Sequence, residues 1–214
     1  MLYLILLLVV LVFLLVLLGF TNEYIYKHGS QMNSSFVLPD IIHHNFDNYK
    51  AYHRICDYAT FVSMGAALAA CLVTKQYSFI VLYVVLLMIA HLICRIMFLV
   101  TVLPDSKNGD CLYSKNLLEV ILNKGSCNCL NVSGHLVTAG ISLYIIYICF
   151  RHYLVWIPLV IVYMFLFFII AASRNHYTID VVNATILVLL LITNTRFISN
   201  VVLKLTGFRI TMKD

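Results

Sequence analysis

Charge is scarce in this chain of 214 residues. Only 11% of the residues are Asp, Glu, Lys or Arg, while 63% are hydrophobic and the mean hydropathy is +0.97. That balance excludes a soluble globular domain. A water-exposed surface needs far more polar side chains than this, so lipid must be the solvent for much of the chain. No run of Lys or Arg stands out from the net charge of +5. A nucleic-acid-binding patch is excluded with it. The seven cysteines contain no CxxC pair. Cys127 and Cys129, with His43, His44 and His53, come nearest to a zinc set but fit no standard ligand spacing. There is no internal repeat and no low-complexity stretch. The length leaves no room for a soluble domain beside several membrane spans, so the reading is one domain covering 1–214.

What the chain does have is long apolar runs. A span needs about 20 mostly apolar residues. Six segments qualify: 2–20, 56–74, 78–103, 134–150, 154–172 and 177–195. The expected fold is therefore all-α, a polytopic bundle of six transmembrane helices with long loops at 21–55 and 104–133. Residues 2–20 have an alternative reading as a cleaved signal peptide, although they lack a basic leader and an A-x-A site. Cys56, Cys71, Cys94 and Cys149 fall in or beside apolar runs and read as packing residues. Cys111, Cys127 and Cys129 lie in one polar loop. There, a Cys111–Cys127 disulfide and free thiols both remain open. The run Gly65-Ala66-Ala67-Leu68-Ala69-Ala70 offers a small-residue face for contact within the bundle or between protomers.

Six spans put both termini on one side. Lys75, Arg151, Arg196, Lys204, Arg209 and Lys213 share that side with a single acid, Asp214. The positive-inside rule makes it the cytoplasmic one. The long loops, with the sequon Asn33-Ser34-Ser35, then face the lumen or the cell exterior.

Three side chains carry the chemistry. His135 opens the fourth span within Ser133-Gly134-His135, while His176 and Asp180 open the sixth. Two crossings separate the two histidines, which returns them to the same face of the membrane. The i, i+4 spacing of His176 and Asp180 would put them on one side of a helix, one turn apart. A carboxylate there can hold one ring nitrogen and leave the other as base or nucleophile. Ionisable groups inside a span are expensive and are functional candidates for that reason, and the trio should point into the bundle. Ser133 and Gly134 start a helix whose first amides suit a phosphate.

Ser133-Gly134-His135, followed two spans later by His176-Tyr177-Thr178-Ile179-Asp180-Val181-Val182, resembles the sphingomyelin synthase family of the type 2 phosphatidic acid phosphatase-like superfamily. Val100-Thr101-Val102-Leu103-Pro104 and Leu38-Pro39-Asp40 look like two further segments of that family. Its Cys-Gly-Asp element stands here as Cys127-Asn128-Cys129. The resemblance implies a metal-free and cofactor-free phospholipid:ceramide head-group transferase, with a phospholipid donor and a ceramide acceptor. His176 would be the nucleophile, Asp180 its orienting carboxylate and His135 the acid and base. Arg95 and Arg174 are candidate phosphate ligands beside Ser133 and Gly134. Ceramide chemistry points to the Golgi, endoplasmic reticulum or plasma membrane, with the site on the lumenal or exoplasmic face. A lipid phosphatase or phospholipase C-like hydrolase would use the same trio. It is disfavoured by the lack of a KxxxxxxRP-type motif. A non-catalytic lipid-binding membrane protein is the third reading.

Overall fold

A computed structural model describes residues 39–45, 50–101, 131–174, 176–207 and 210, without the side chains of 50–53 and 206. The first expected span, the sequon, and Cys111, Cys127 and Cys129 lie outside these residues. The described residues are all-helical: α1 (Ile41–Asn45), α2 (Lys50–Val73), α3 (Ser78–Val100), α4 (Gly134–Phe150), α5 (Tyr153–Ala172), α6 (Thr178–Thr193) and α7 (Thr195–Thr206). Among them, three helices are long and apolar enough to cross a membrane: α2 from Arg54, α3 and α5. They become four if the bent pair α6–α7 is taken as one span. The expected fourth span is α4, an apolar helix of only 17 residues, and α6 has 16.

The helix boundaries follow from local chemistry. Lys75 and Arg151 take left-handed φ values of 56° and 49° and end α2 and α4. Ser133 caps α4, its hydroxyl accepting the Leu136 amide at 3.4 Å. His152 caps α5 by accepting the Leu154 amide through Nδ1 at 3.3 Å. Each cap satisfies a donor that the helix start leaves over.

Helix α4 is the hub. It packs on α2, α3, α5 and α6. Leu136, Val137, Ala139, Ile141 and Ile145 along it are fully buried. The outward face of α5 tells the opposite story, since Leu154, Trp156, Ile157, Ile161, Phe165 and Phe168 are all exposed. An apolar face of that extent suits a lipid surround.

Two contacts fix how α2 lies on α4. His135 meets Asp57 at 2.9 Å, and Cys149 meets Cys71 at 3.7 Å. Both pairs are 78 residues apart in sequence. A constant offset over two heptads means the helices run parallel and in register. Small residues make the seam: Ser63, Ala67 and Ala70 are buried along it, while Gly65, Ala66, Leu68 and Ala69 face outward. The small-residue run is thus split between the bundle and the exterior. Helix α3 runs antiparallel to α4. Tyr83 bonds Ser142 at 2.7 Å near one end, and His91 bonds Thr138 at 3.2 Å nearer the other. Cys56, Cys71, Cys94 and Cys149 are buried thiols, as packing residues should be.

Gly140 sits where α4, α5 and α6 meet. A Cβ there would lie 2.9 Å from Tyr163 Cε2 and 2.9 Å from Val188 Cγ1. Valine is stiff at χ1 and cannot swing aside. Gly140→Ala should therefore cost about 1–3 kcal/mol, read as a lower melting temperature in detergent. Gly65 has nothing within 4 Å of the same added atom. Gly65→Ala should be neutral or stabilising by up to about 1 kcal/mol, because alanine is the better helix former.

Candidate functional site

The starts of α4 and α6 are joined directly. The Ser133 amide donates to the Asp180 carbonyl at 3.2 Å. This backbone bond puts His135, in the first turn of α4, at the same end of the bundle as His176 and Asp180. Asn131 and Asn183 reinforce the link. The Asn183 side-chain amide donates to the Asn131 carbonyl at 3.0 Å, and Asn131 Nδ2 donates to the Met97 carbonyl at 3.4 Å.

Asp180 is fully buried and works at two places. It stands third in α6, and its Oδ2 accepts the amide of the capping residue Tyr177 at 2.9 Å. The same oxygen lies 3.5 Å from His176 Nδ1. His176 is not on the helix, as an i, i+4 pair would suggest. It lies two residues before α6, and the extended backbone of Tyr177 (φ −68°, ψ 157°) turns it back onto the carboxylate. The cap thus does what one turn of helix was expected to do.

A segment from outside the bundle holds this turn in place. Asp40 Oδ2 accepts the Thr178 amide at 2.6 Å, and Oδ1 accepts the Thr178 hydroxyl at 2.7 Å. The Ile42 and His43 amides also donate to Oδ1, at 2.9 and 3.2 Å. His43 donates through Nε2 to the His176 carbonyl at 3.1 Å, and its ring rests on Tyr177 at 5.5 Å. Arg174 takes a left-handed φ of 54° and donates through Nη2 to the His43 carbonyl at 2.7 Å. The chain around His176 is therefore gripped by Asp40, His43 and Arg174 together.

Burial pushes the Asp40 carboxyl up, but the Thr178 amide and hydroxyl, the His43 amide and the His43 ring charge outweigh it. They hold the group below its ordinary value of 3.8. A depressed carboxylate stabilises the fold at every pH above the unfolded value and loses that effect as pH falls through the folded one. Asp40 thus leaves the melting temperature flat between neutral pH and about pH 5 and lowers it below about pH 4. Asp40→Ala removes the acid-side drop due to this group and costs about 2–3 kcal/mol at neutral pH, since two donors on Thr178 lose an ionised acceptor.

On the α4 side, His135 Nε2 donates to Asp57 Oδ1 at 2.9 Å, with side-chain exposures of 20% and 36%. Arg95 is buried on α3, with its guanidinium 5.4 Å from the Phe98 ring centre. His91 stands one turn before Arg95 on α3, and its Nε2 meets the Thr138 hydroxyl at 3.2 Å. Ser133 is buried as the cap of α4, and Gly134 follows it as the first helical residue. The structure thus gathers His176, Asp180 and Arg174 on one half of the site. It gathers His135 and Asp57 on the other, and the Ser133 amide at the start of α4 ties the two halves through the Asp180 carbonyl. Among the described residues, no three His, Cys, Asp or Glu side chains converge as metal ligands do.

Sequence reasoning passed over Asp57 and His91. Both carried a signal: each is an ionisable residue within a span.

Residues 126–197 match the family model described as PAP2 superfamily C-terminal. That is about a third of the chain, and it contains α4, α5 and α6 with His135, His176 and Asp180. The match supports a PAP2-like lipid enzyme of the phosphatase or phosphotransferase type. No curated protein and no solved structure matched the chain.

Proposed function

We propose that this chain moves the phosphorylated head group of a phospholipid onto a ceramide-class lipid alcohol through a phosphohistidine. The observation that carries the reading is the Ser133–Asp180 backbone bond, which sets two imidazoles and a buried carboxylate at one end of an apolar bundle. The family match supplies the reaction type, and the sequence resemblance supplies the acceptor.

In the first step His176 attacks phosphorus through Nε2, because Nδ1 faces Asp180. The bond from phosphorus to the glycerol oxygen breaks, and His135 gives that oxygen its proton. Diacylglycerol leaves. In the second step His135 takes the proton of the acceptor hydroxyl. The acceptor oxygen then attacks phosphorus, and the electron pair of the P–N bond returns to His176. The carboxylate of Asp180 stabilises the imidazole as it becomes cationic. Asp57 holds His135 by one nitrogen and supports its cationic form, so that the ring serves as acid and then as base. The first amides of α4, at Gly134 and His135, and the guanidiniums of Arg95 and Arg174 are the groups to neutralise phosphate oxygens.

The test uses the purified full chain in detergent with labelled ceramide and mixed phospholipids. Head-group transfer to ceramide that depends on His176 supports the proposal. Diacylglycerol release without a labelled ceramide product makes the enzyme a hydrolase instead. Absence of any turnover, with no difference between the wild type and His176→Ala, leaves a lipid-binding protein.

A further inference from the structure

We propose that α7 is a membrane-surface helix that binds the anionic phospholipids of the leaflet opposite the candidate site. The inference rests on the shape and chemistry of α7 and not on any catalytic reading. Helix α6 begins at the site end, so its last residue lies at the far end of the bundle. There the chain bends by 61° between Thr178–Thr193 and Thr195–Leu205. A helix deflected that far runs across the direction of the span rather than along it.

Three stripes divide the surface of α7. Thr195, Ile198, Ser199 and Val202 form the stripe against the bundle. Thr195 and Ser199 are buried, and Ile198 and Val202 pack on the core. The hydroxyls on this stripe bond backward to the Leu191, Ile192 and Thr195 carbonyls, which leaves it nothing polar to seek. The second stripe is Phe197, Val201 and Leu205, spaced i, i+4, i+8, with exposures of 67%, 37% and 77%. The third, at the same spacing, is Arg196, Asn200 and Lys204, all exposed. Gly207 then ends the helix in a left-handed cap, and Ile210 returns to the core.

A helix with an outward apolar stripe beside a basic one matches the boundary between acyl chains and head groups. The charged residues of α7 are both cations, so the complementary surface is an anionic one. Each cation held near an anionic leaflet is worth about a fivefold gain in binding. Continuation of the span is the competing placement, but it would carry Arg196 and Lys204 toward the hydrocarbon.

The experiment places a tryptophan at the apolar stripe, Phe197→Trp, in a Trp156→Phe background. The full chain is reconstituted in phosphatidylcholine vesicles that contain either brominated phosphatidylserine or brominated phosphatidylcholine at equal mole fraction. The expected result is quenching by both lipids, with phosphatidylserine about threefold or more the stronger. Adding Arg196→Gln and Lys204→Gln should abolish that preference and keep the phosphatidylcholine signal, which also shows that the variant is folded. Equal quenching by the two lipids in the parent overturns the proposal. So does an absence of quenching by either, which would mean that a second copy or another part of the chain covers the stripe. A preference that survives the double glutamine change overturns it as well.

Discussion

His176→Ala should reduce head-group transfer by at least about 1,000-fold while leaving a folded protein. On the proposed mechanism the variant lacks the nucleophile and with it the covalent route, and a 1,000-fold fall corresponds to about 4 kcal/mol in the barrier. The stability change should be far smaller. The His176–Asp180 contact is 3.5 Å, and Asp180 Oδ2 keeps the Tyr177 amide at 2.9 Å when the ring is gone. The loss on the folding side is thus about 1 kcal/mol. The two numbers separate chemistry from folding. Wild-type protein quenched with acid-free denaturant after exposure to head-group-labelled donor should carry label on His176, and the variant should carry none. A variant that retains activity within about tenfold of wild type would remove His176 from the reaction.

Asp57→Asn should lower turnover by about 100-fold, and His135→Ala by about 100- to 10,000-fold. The amide can still accept the His135 proton, so only the charge is lost. Asp57 is 36% exposed, and an ion pair so open to solvent contributes no more than about 1 kcal/mol to stability. A large fall in rate therefore reports on the reaction and not on folding. With Asp57 acting through that ring, as proposed, the double variant should be no slower than His135→Ala. Additive losses would show that Asp57 has a separate role.

The sequence carried the helices clearly, because apolar runs of about 20 residues have few alternative uses. Among the described residues, fewer helices reach full spanning length than there are apolar runs. Residues 2–20 lie outside the described residues. The run from 134 to 150 is a helix of 17 residues, and the run from 177 to 195 is broken near Asn194. Counting crossings placed His135 and His176 at one end, and the Ser133–Asp180 bond has them there. The spacing of His176 and Asp180 suggested a helical pair, yet the pairing runs through a capping turn. The period was right and the local geometry was not, because a helix start uses the same three- to four-residue reach as a helix turn.

The partners of these residues were harder to see. Asp57 is 78 residues from His135, and nothing in a periodicity reveals that α2 and α4 run parallel in register. In the sequence Asp40 stands out only as part of Leu38-Pro39-Asp40. Its bonds to the Ile42 and His43 amides are local, but the two to Thr178 come from a segment folding onto the site, and local pattern says nothing of that.

Helices α4 and α6 have one more consequence. With 17 and 16 residues they measure about 25 and 24 Å at 1.5 Å per residue, against a hydrocarbon layer of about 30 Å. With their far ends at one boundary, their opening turns sit some 5 Å short of the other. The donor's phosphate must then sink, or the surrounding lipid must thin locally to meet it, and either distortion grows with the width of the host bilayer. On the proposed reaction, acyl length in the membrane would thereby become a determinant of rate. The enzyme would run faster in short-chain lipid than in long-chain lipid of the same head group.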